Sequence, residues 1–284
     1  MIKVFWNINN IYKSWWGEYF LNHKDWINLI IKNINYKLID KLEDINSDDL
    51  VIIIDCDISK KLEFYSNLKK KAKNIYLFHL GDEASTDLNL NIYENFEFVW
   101  KNYFNNKFKS VKNCAFFPLG FKSKENFKKI NLRERKYIWS FSGTIHGSSR
   151  YDMLYQLKDI SPNNIKLTTE FGSKDSLNSE KYYEIITNSI YVPVPHGFFH
   201  PETYRFYEAL EAGCIPLVEN PHNFYDFIYP NNPIQKLTTW TEAKKFIKES
   251  YKNESLKSEY LEELDYWWKN LIKDFQKNIS NKIS

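Results

Sequence analysis

The stretch PETYRFYEALEAGCIPLVE (201–219) decides how this chain is read. A proline opens it, a charged run with helical spacing follows, a glycine interrupts, and an apolar segment closes it. Proline fits the first turn of a helix, where its missing N–H costs nothing. Glycine fits the left-handed position just past a helix end. The pattern therefore predicts a helix over 201–212, a turn at Gly213 and a buried strand over 214–218. Glu202, Arg205 and Glu208 stand at i, i+3 and i+6 and would share one helix face. One reading of that face is two solvated ion pairs, each contributing about 0.2–0.5 kcal/mol. The other is a ligand face, on which carboxylates accept hydrogen bonds from hydroxyls and an arginine grips an anion in a fork.

Outward from this stretch, apolar strand-like runs alternate with helical ones in both directions. Strands are expected at 2–8, 36–40, 50–54, 74–80, 96–100 and 114–118, then at 137–143, 165–170, 189–194, 214–218 and 234–237. Helices are expected over 14–33, 60–72, 148–158, 179–188, 201–212, 241–251 and 254–279. Strand–helix alternation implies parallel sheets covered on both faces. The charged, aperiodic segment KSKENFKKINLRERK (122–136) separates two such blocks. The expected organisation is α/β, with two Rossmann-like domains, 1–125 and 137–252, whose parallel sheets face each other across a cleft. A final helical segment, 254–284, is expected to pack back across both. Ligands of such sheets bind outside the carboxyl ends of the strands, so residues just after strands matter most.

Bulk properties narrow the function. With 284 residues, 43% of them hydrophobic, the chain can build full cores without staples. Aromatic residues reach 18%, enough for some to line a site as well as fill a core. A formal net charge of +3 is mild and speaks against nucleic acid as the partner. Cys56, Cys114 and Cys214 lack metal-ligand spacing and are odd in number, which reads as free thiols in a reducing compartment. The chain opens on a strand-like MIKVFWNI rather than a signal pattern, and no apolar run is long enough to span a bilayer. The expected location is the cytoplasm, at most peripheral to a membrane.

Three further stretches carry candidate chemistry. In SFSGTIHGSSRYDML (140–154), Gly143 and Gly147 permit tight turns after a strand, and Ser148 or Ser149 is placed to cap the next helix. Arg150 in that helix's first turn opposes the helix dipole unless an anion is bound there. In NIYLFHLGDEAS (74–85), Asp82 and Glu83 follow a strand, where a carboxylate could act as general base. In VIIIDCD (51–57), Asp55 and Asp57 lie on one side of an extended backbone, a secondary reading as a Mn²⁺ or Mg²⁺ site.

The segment HPETYRFYEALEAGCIPLVE (200–219) resembles the donor-site segment of exostosin-type, family-47-like glycosyltransferases, which have two Rossmann-like domains in the GT-B arrangement. Thr203, Arg205, Glu208, Ala209, Leu210, Ala212, Gly213, Cys214 and Pro216 match that family's pattern, with Leu217 in place of a valine. The sequence around Gly143 and Arg150 and the strand end HLGDE (79–83) resemble the family more loosely. The resemblance implies an enzyme that moves a sugar from a nucleotide-sugar, a UDP-sugar by analogy, to a glycan acceptor. It implies a donor site built from Gly143, Thr144, Arg150, His196, Glu202, Arg205 and Glu208, with Asp82 or Glu83 as base and no metal cofactor. Position 200, eight before Glu208, holds histidine rather than the glutamate of many retaining GT-B enzymes, which favours inversion. A fucosyltransferase-like enzyme using GDP-fucose and a non-catalytic glycan- or nucleotide-binding protein are the alternatives.

Overall fold

A computed structural model describes residues 1–6, 23–56, 58, 61–86, 90–122, 129–170 and 173–283. The chain divides into two compact units, 1–122 with 273–284, and 123–272. The unit boundary at 122/123 adjoins the charged segment of the sequence, of which 123–128 lies outside the described residues.

The first unit holds a parallel sheet of β1 (Ile2–Phe5), β2 (Tyr36–Ile39), β3 (Leu50–Asp55), β4 (Asn74–His79), β5 (Phe98–Lys101) and β6 (Cys114–Phe116), in the order β2-β1-β3-β4-β5-β6. β3 (LVIIID) and β4 (NIYLFH) are buried from their second residue onward, as expected of central parallel strands with both faces covered. Helix α1 (Lys24–Ile31) buries Trp26, Ile27, Ile30 and Ile31, and the Trp26 indole N–H donates to the Pro118 carbonyl at 3.0 Å. Helix α2 (Leu62–Lys71) buries Tyr65 and Leu68 and leaves its lysines outward, where they favour the negative end of the helix dipole. The earlier part of the helical stretch expected over 14–33 lies outside the described residues.

The second unit holds β7 (Tyr137–Thr144), β8 (Asn163–Thr168), β9 (Ser189–Val194), β10 (Ile215–Glu219) and β11 (Lys236–Leu237), all parallel, in the order β11-β10-β9-β7-β8. Helices α3 (Gly147–Leu157), α4 (Ser179–Thr187), α5 (Tyr204–Glu211), α6 (Phe224–Ile228) and α7 (Trp240–Ser250) connect them. Helix α8 (Glu254–Ile283) ends the chain, its residues up to 272 grouping with the second unit and the remainder with the first. In the second unit, Trp268 on α8 is buried and donates to Glu211 at 2.7 Å.

Both sheets contain the same doubly wound core. Relative to its own first strand, each runs 2-1-3-4-5, and the first unit adds a sixth strand. In that order the connections leave in opposite directions from the first and third strands. A crevice opens between their carboxyl ends, which is where such folds bind ligands. In the second unit the crevice lies between β7 and β9, and in the first between β1 and β3.

The opening stretch departs from its expected form at one end. Helix α5 begins at Tyr204 with extended Thr203 before it, so Pro201 lies ahead of the helix rather than in its first turn. Glu202 therefore does not share a helix face with Arg205 and Glu208. The reason is tertiary: Glu202 is buried and its carboxylate accepts the Tyr207 hydroxyl, while its N–H donates to His200 Nδ1 at 3.1 Å. These bonds hold the chain extended where local propensity favours a helix. The other end is as expected, with Gly213 at φ +66° turning the chain into β10. The Gly213 carbonyl accepts from Arg135 Nη2 at 2.7 Å, and Arg135 Nη1 reaches the Ser189 carbonyl at 2.6 Å, tying the α5 exit to the start of β9.

Candidate functional site

The carboxyl ends of β7 and β9 are bridged by one side chain. Arg150 in the first turn of α3 donates from Nη1 to the Thr144 carbonyl at 2.6 Å. From Nε and Nη2 it donates to the His196 carbonyl at 3.2 and 3.0 Å. The side chain is buried. This accounts for an arginine where the helix dipole disfavours one: it pins together the two strand ends that diverge at the crevice. Hydrogen bonds to a charged group contribute about 1.5–3 kcal/mol each to a folded structure.

Arg205 arrives from α5 beside it. Its guanidinium lies 4.5 Å from the centre of the Phe141 ring, over which Arg150 also sits at 5.9 Å. Nη2 donates to the Ser142 carbonyl at 2.8 Å. Gly143 makes the approach feasible. Its φ of +151° is rarely adopted by residues with a side chain, and a Cβ there would meet Arg205 Nη2 at 3.0 Å. No carboxylate lies within ion-pair distance of the half-buried Arg205 among the described residues.

Arg150 lines a pocket of about 380 Å³ in the second unit, whose walls also include His146, Asp152, His196, Phe198, Glu219 and Trp240. The start of α3, with Gly147, Ser148 and Ser149, forms part of the wall. Its N-cap residue is His146, which makes no side-chain cap, so neither Ser148 nor Ser149 caps the helix as expected. Ser149 instead donates to Glu219, and the Trp240 indole N–H donates to Ser149 Oγ at 3.2 Å. The N–H groups of a helix's first turn are an anion-binding feature, strengthened by the dipole and by neighbouring cations.

Two histidines report the local potential. Burial, then Arg150 and Arg205, push the His146 imidazole down to about 4, so it is neutral at pH 7. His196 is lowered by burial and by Arg150, while Glu219 opposes the shift. Its Nε2 lies 3.0 Å from Glu219 Oε2, an ion-pair distance without hydrogen-bond alignment. Arg150 lines the pocket together with two carboxylates, Asp152 and Glu219, the latter beside His196.

The residues expected from sequence separate into three groups. Gly143, Thr144, Arg150, His196 and Arg205 come together at the β7–β9 crevice. Of the expected residues only Arg150 and His196 line the pocket; Gly143, Thr144 and Arg205 are not among its lining residues, and neither are Glu202 and Glu208. Both are buried, Glu202 against Tyr207 and Glu208 accepting the Tyr182 hydroxyl at 2.6 Å. Burial raises both tyrosines well above the usual phenol range. Asp82 and Glu83 belong to the first unit, half-buried after β4. Asp82 has φ +58°, and its Oδ1 accepts from the Thr86 N–H at 2.6 Å and the Thr86 hydroxyl at 3.0 Å. His146, Phe198, Glu219 and Trp240 were not anticipated as site residues. Glu219 closes β10, so the rule that selects residues at strand carboxyl ends reaches it too.

The secondary metal reading concerns Asp55 and Asp57, and Asp57 lies outside the described residues. The Asp55 carboxylate accepts from Lys61 Nζ at 2.8 and 2.6 Å, from the Tyr65 hydroxyl at 2.5 Å and from the Cys56 N–H at 2.8 Å. Among the described residues no three His, Cys, Asp or Glu side chains gather as a metal site. Among the same residues no helix is long and apolar enough to cross a membrane. The three cysteines are free, and only Cys214 is fully buried, whereas Cys56 and Cys114 are half-buried.

Comparison with known proteins agrees with this architecture. Residues 119–283, more than half of the chain, match the family described as the RXYLT1 C-terminal domain. No curated protein sequence matches the chain significantly. Among solved structures, an alpha1,3-fucosyltransferase is similar at a TM-score of 0.55 and 12% identity, over 99% of this chain and 89% of that one. The T4 phage BGT in complex with its UDP-glucose substrate is similar at 0.55 and 13% identity, over 100% of both chains. The DNA-modifying enzyme beta-glucosyltransferase, studied with and without uridine diphosphoglucose, is similar at 0.56 and 12% identity, again over 100% of both. The fold is that of GT-B glycosyltransferases, with two parallel-sheet α/β domains.

Proposed function

The chain belongs to the RXYLT1 C-terminal domain family, and from that premise we propose that it is an inverting, metal-independent glycosyltransferase of exostosin type. The proposed donor is a nucleotide-sugar, with UDP as nucleotide, and the proposed acceptor is a glycan. The observation that carries this reading is the pair of guanidinium groups over Phe141 at the β7–β9 crevice. They adjoin a helix start whose N–H groups line the pocket. This is positive charge beside a hollow whose wall also carries Asp152 and Glu219, and it suits a group that departs bearing negative charge.

The two arginines have different tasks in this reading. Arg150 is committed to backbone carbonyls and holds the crevice in shape. Arg205, anchored to the backbone by Nη2, turns the rest of its fork to the diphosphate. The acceptor hydroxyl oxygen attacks the anomeric carbon. The bond from that carbon to the diphosphate oxygen breaks, and its electron pair leaves on the diphosphate, where Arg205 and the first-turn N–H groups of α3 stabilise it. The hydroxyl proton passes to a carboxylate acting as general base. Asp82 and Glu83 are the proposed candidates for that role.

Turnover of UDP-sugars in the presence of EDTA tests this. Arg205→Ala is expected to lower kcat about a hundredfold or more, the usual effect of removing one donor from a leaving-group or oxyanion site. Glu83→Gln is expected to lower kcat while leaving UDP affinity unchanged. Wild-type turnover in Arg205→Ala, or a requirement for divalent metal, would contradict the reading.

A further inference from the structure

The wall of the pocket contains a feature that the diphosphate does not use. The rings of His146 and Phe198 are stacked face to face, with centroids 3.8 Å apart and planes within 12°. Both line the pocket beside the start of α3. Phe198 keeps 45% of its surface exposed, so its contact with His146 does not hide it from water. A single exposed phenylalanine is ordinary. A phenylalanine laid flat on another ring at the edge of a polar hollow presents a π-face where a ligand would lie.

The loop bearing Phe198 is well supported. The His196 carbonyl accepts two bonds from Arg150, and the Gly197 N–H donates to the His200 carbonyl at 2.9 Å. His200 is buried, with its ring edge-on to Phe224 at 4.7 Å between centroids. The ring beneath is also fixed in character, since an uncharged imidazole stacks on phenylalanine without bringing a third cation to the arginines. Preorganised aromatic surface lowers the ordering cost of binding a planar group.

We propose that the His146–Phe198 stack is the nucleobase platform of the donor site, with the base lying on the outer face of Phe198 and the diphosphate at the start of α3. The inference rests on the nucleotide-sugar reading above and deepens it. Stacking on an aromatic face is tolerant of base identity, because every base has a π-face. Phe198 therefore adds affinity for nucleoside diphosphates as a class, over and above that for inorganic pyrophosphate, without selecting uracil over guanine.

Calorimetric titration of the full chain with UDP, GDP and inorganic pyrophosphate tests this on wild type, Phe198→Ala and Phe198→Tyr. Phe198 is exposed enough that both variants are expected to melt with the wild type, which a thermal scan checks. The expected result is a loss on the order of tenfold in UDP and GDP affinity for Phe198→Ala, within the range for base–aromatic stacking. Pyrophosphate affinity stays unchanged, and Phe198→Tyr restores nucleotide binding. Unchanged UDP affinity in Phe198→Ala overturns the inference, and so does an equal loss for UDP and pyrophosphate, which would make the ring a support for the anion site. Wild type that binds pyrophosphate but UDP no more tightly overturns the platform alone. Wild type that binds neither overturns the donor-site reading as well.

Discussion

The two sheets share a winding order, yet the crevices at their carboxyl ends are built in opposite ways. In the first unit the strand end between β1 and β4 carries Asp55, whose carboxylate is neutralised by Lys61 and also held by Tyr65 and the Cys56 N–H. In the second unit the corresponding ends carry two guanidinium groups on one phenylalanine, and Arg205 has no carboxylate within reach among the described residues. The charge of Asp55 is balanced within the protein. In the proposed reading, that of Arg205 is completed by an anion. Topology decides where a ligand can bind, and the local charge balance decides which of two equivalent places is built to take one.

The comparison makes the largest effect a matter of stability rather than binding. Asp55→Ala removes a carboxylate 2.6 Å from Lys61 Nζ, whose side chain is 15% exposed. Breaking such a pair costs about 3–5 kcal/mol. Urea denaturation is expected to show that loss, while UDP affinity, measured where the variant remains folded, stays at the wild-type value. A variant that keeps its stability, or that loses nucleotide binding in proportion, would break the contrast between the crevices.

A smaller effect sharpens the other side. Gly143→Ala forces a side chain into φ +151° and places a Cβ 3.0 Å from Arg205 Nη2. The strain is expected to cost about 1–3 kcal/mol of stability. The displaced guanidinium should lower pyrophosphate affinity as well, because the side chain is flexible enough to move off its position over Phe141. A stability loss with no change in anion affinity would mean that Arg205 does not depend on Gly143 for its placement.

Much of the fold was legible in the residues. Runs such as VIIID and LFHL have the length and apolarity of central parallel strands, and Gly213 marks the turn between α5 and β10. The start of α5 was not legible, because proline's preference for a first turn is local, whereas the bond between Glu202 and Tyr207 depends on burial. The crevice residues were reachable through strand ends and the Gly143–Arg150 spacing. Their division of labour was not, since Arg150's three carbonyl contacts follow from β7 lying beside β9. The same adjacency brings His146 and Phe198 together from loops far apart in sequence, and neither residue carries a periodic signal that would pair them. Glu202 and Glu208 were expected as ligand contacts because their spacing put them on one helix face with Arg205. Tyr207 and Tyr182 supply the hydrogen bonds that make their burial tolerable.

Backbone amide chemical shifts recorded while UDP is added in EDTA test the central claim most directly. The account predicts saturable changes concentrated at Gly143, Gly147, Ser148 and Gly197, around the β7–β9 crevice. Changes centred on Asp55 and Cys56, or none at saturating nucleotide, would contradict it.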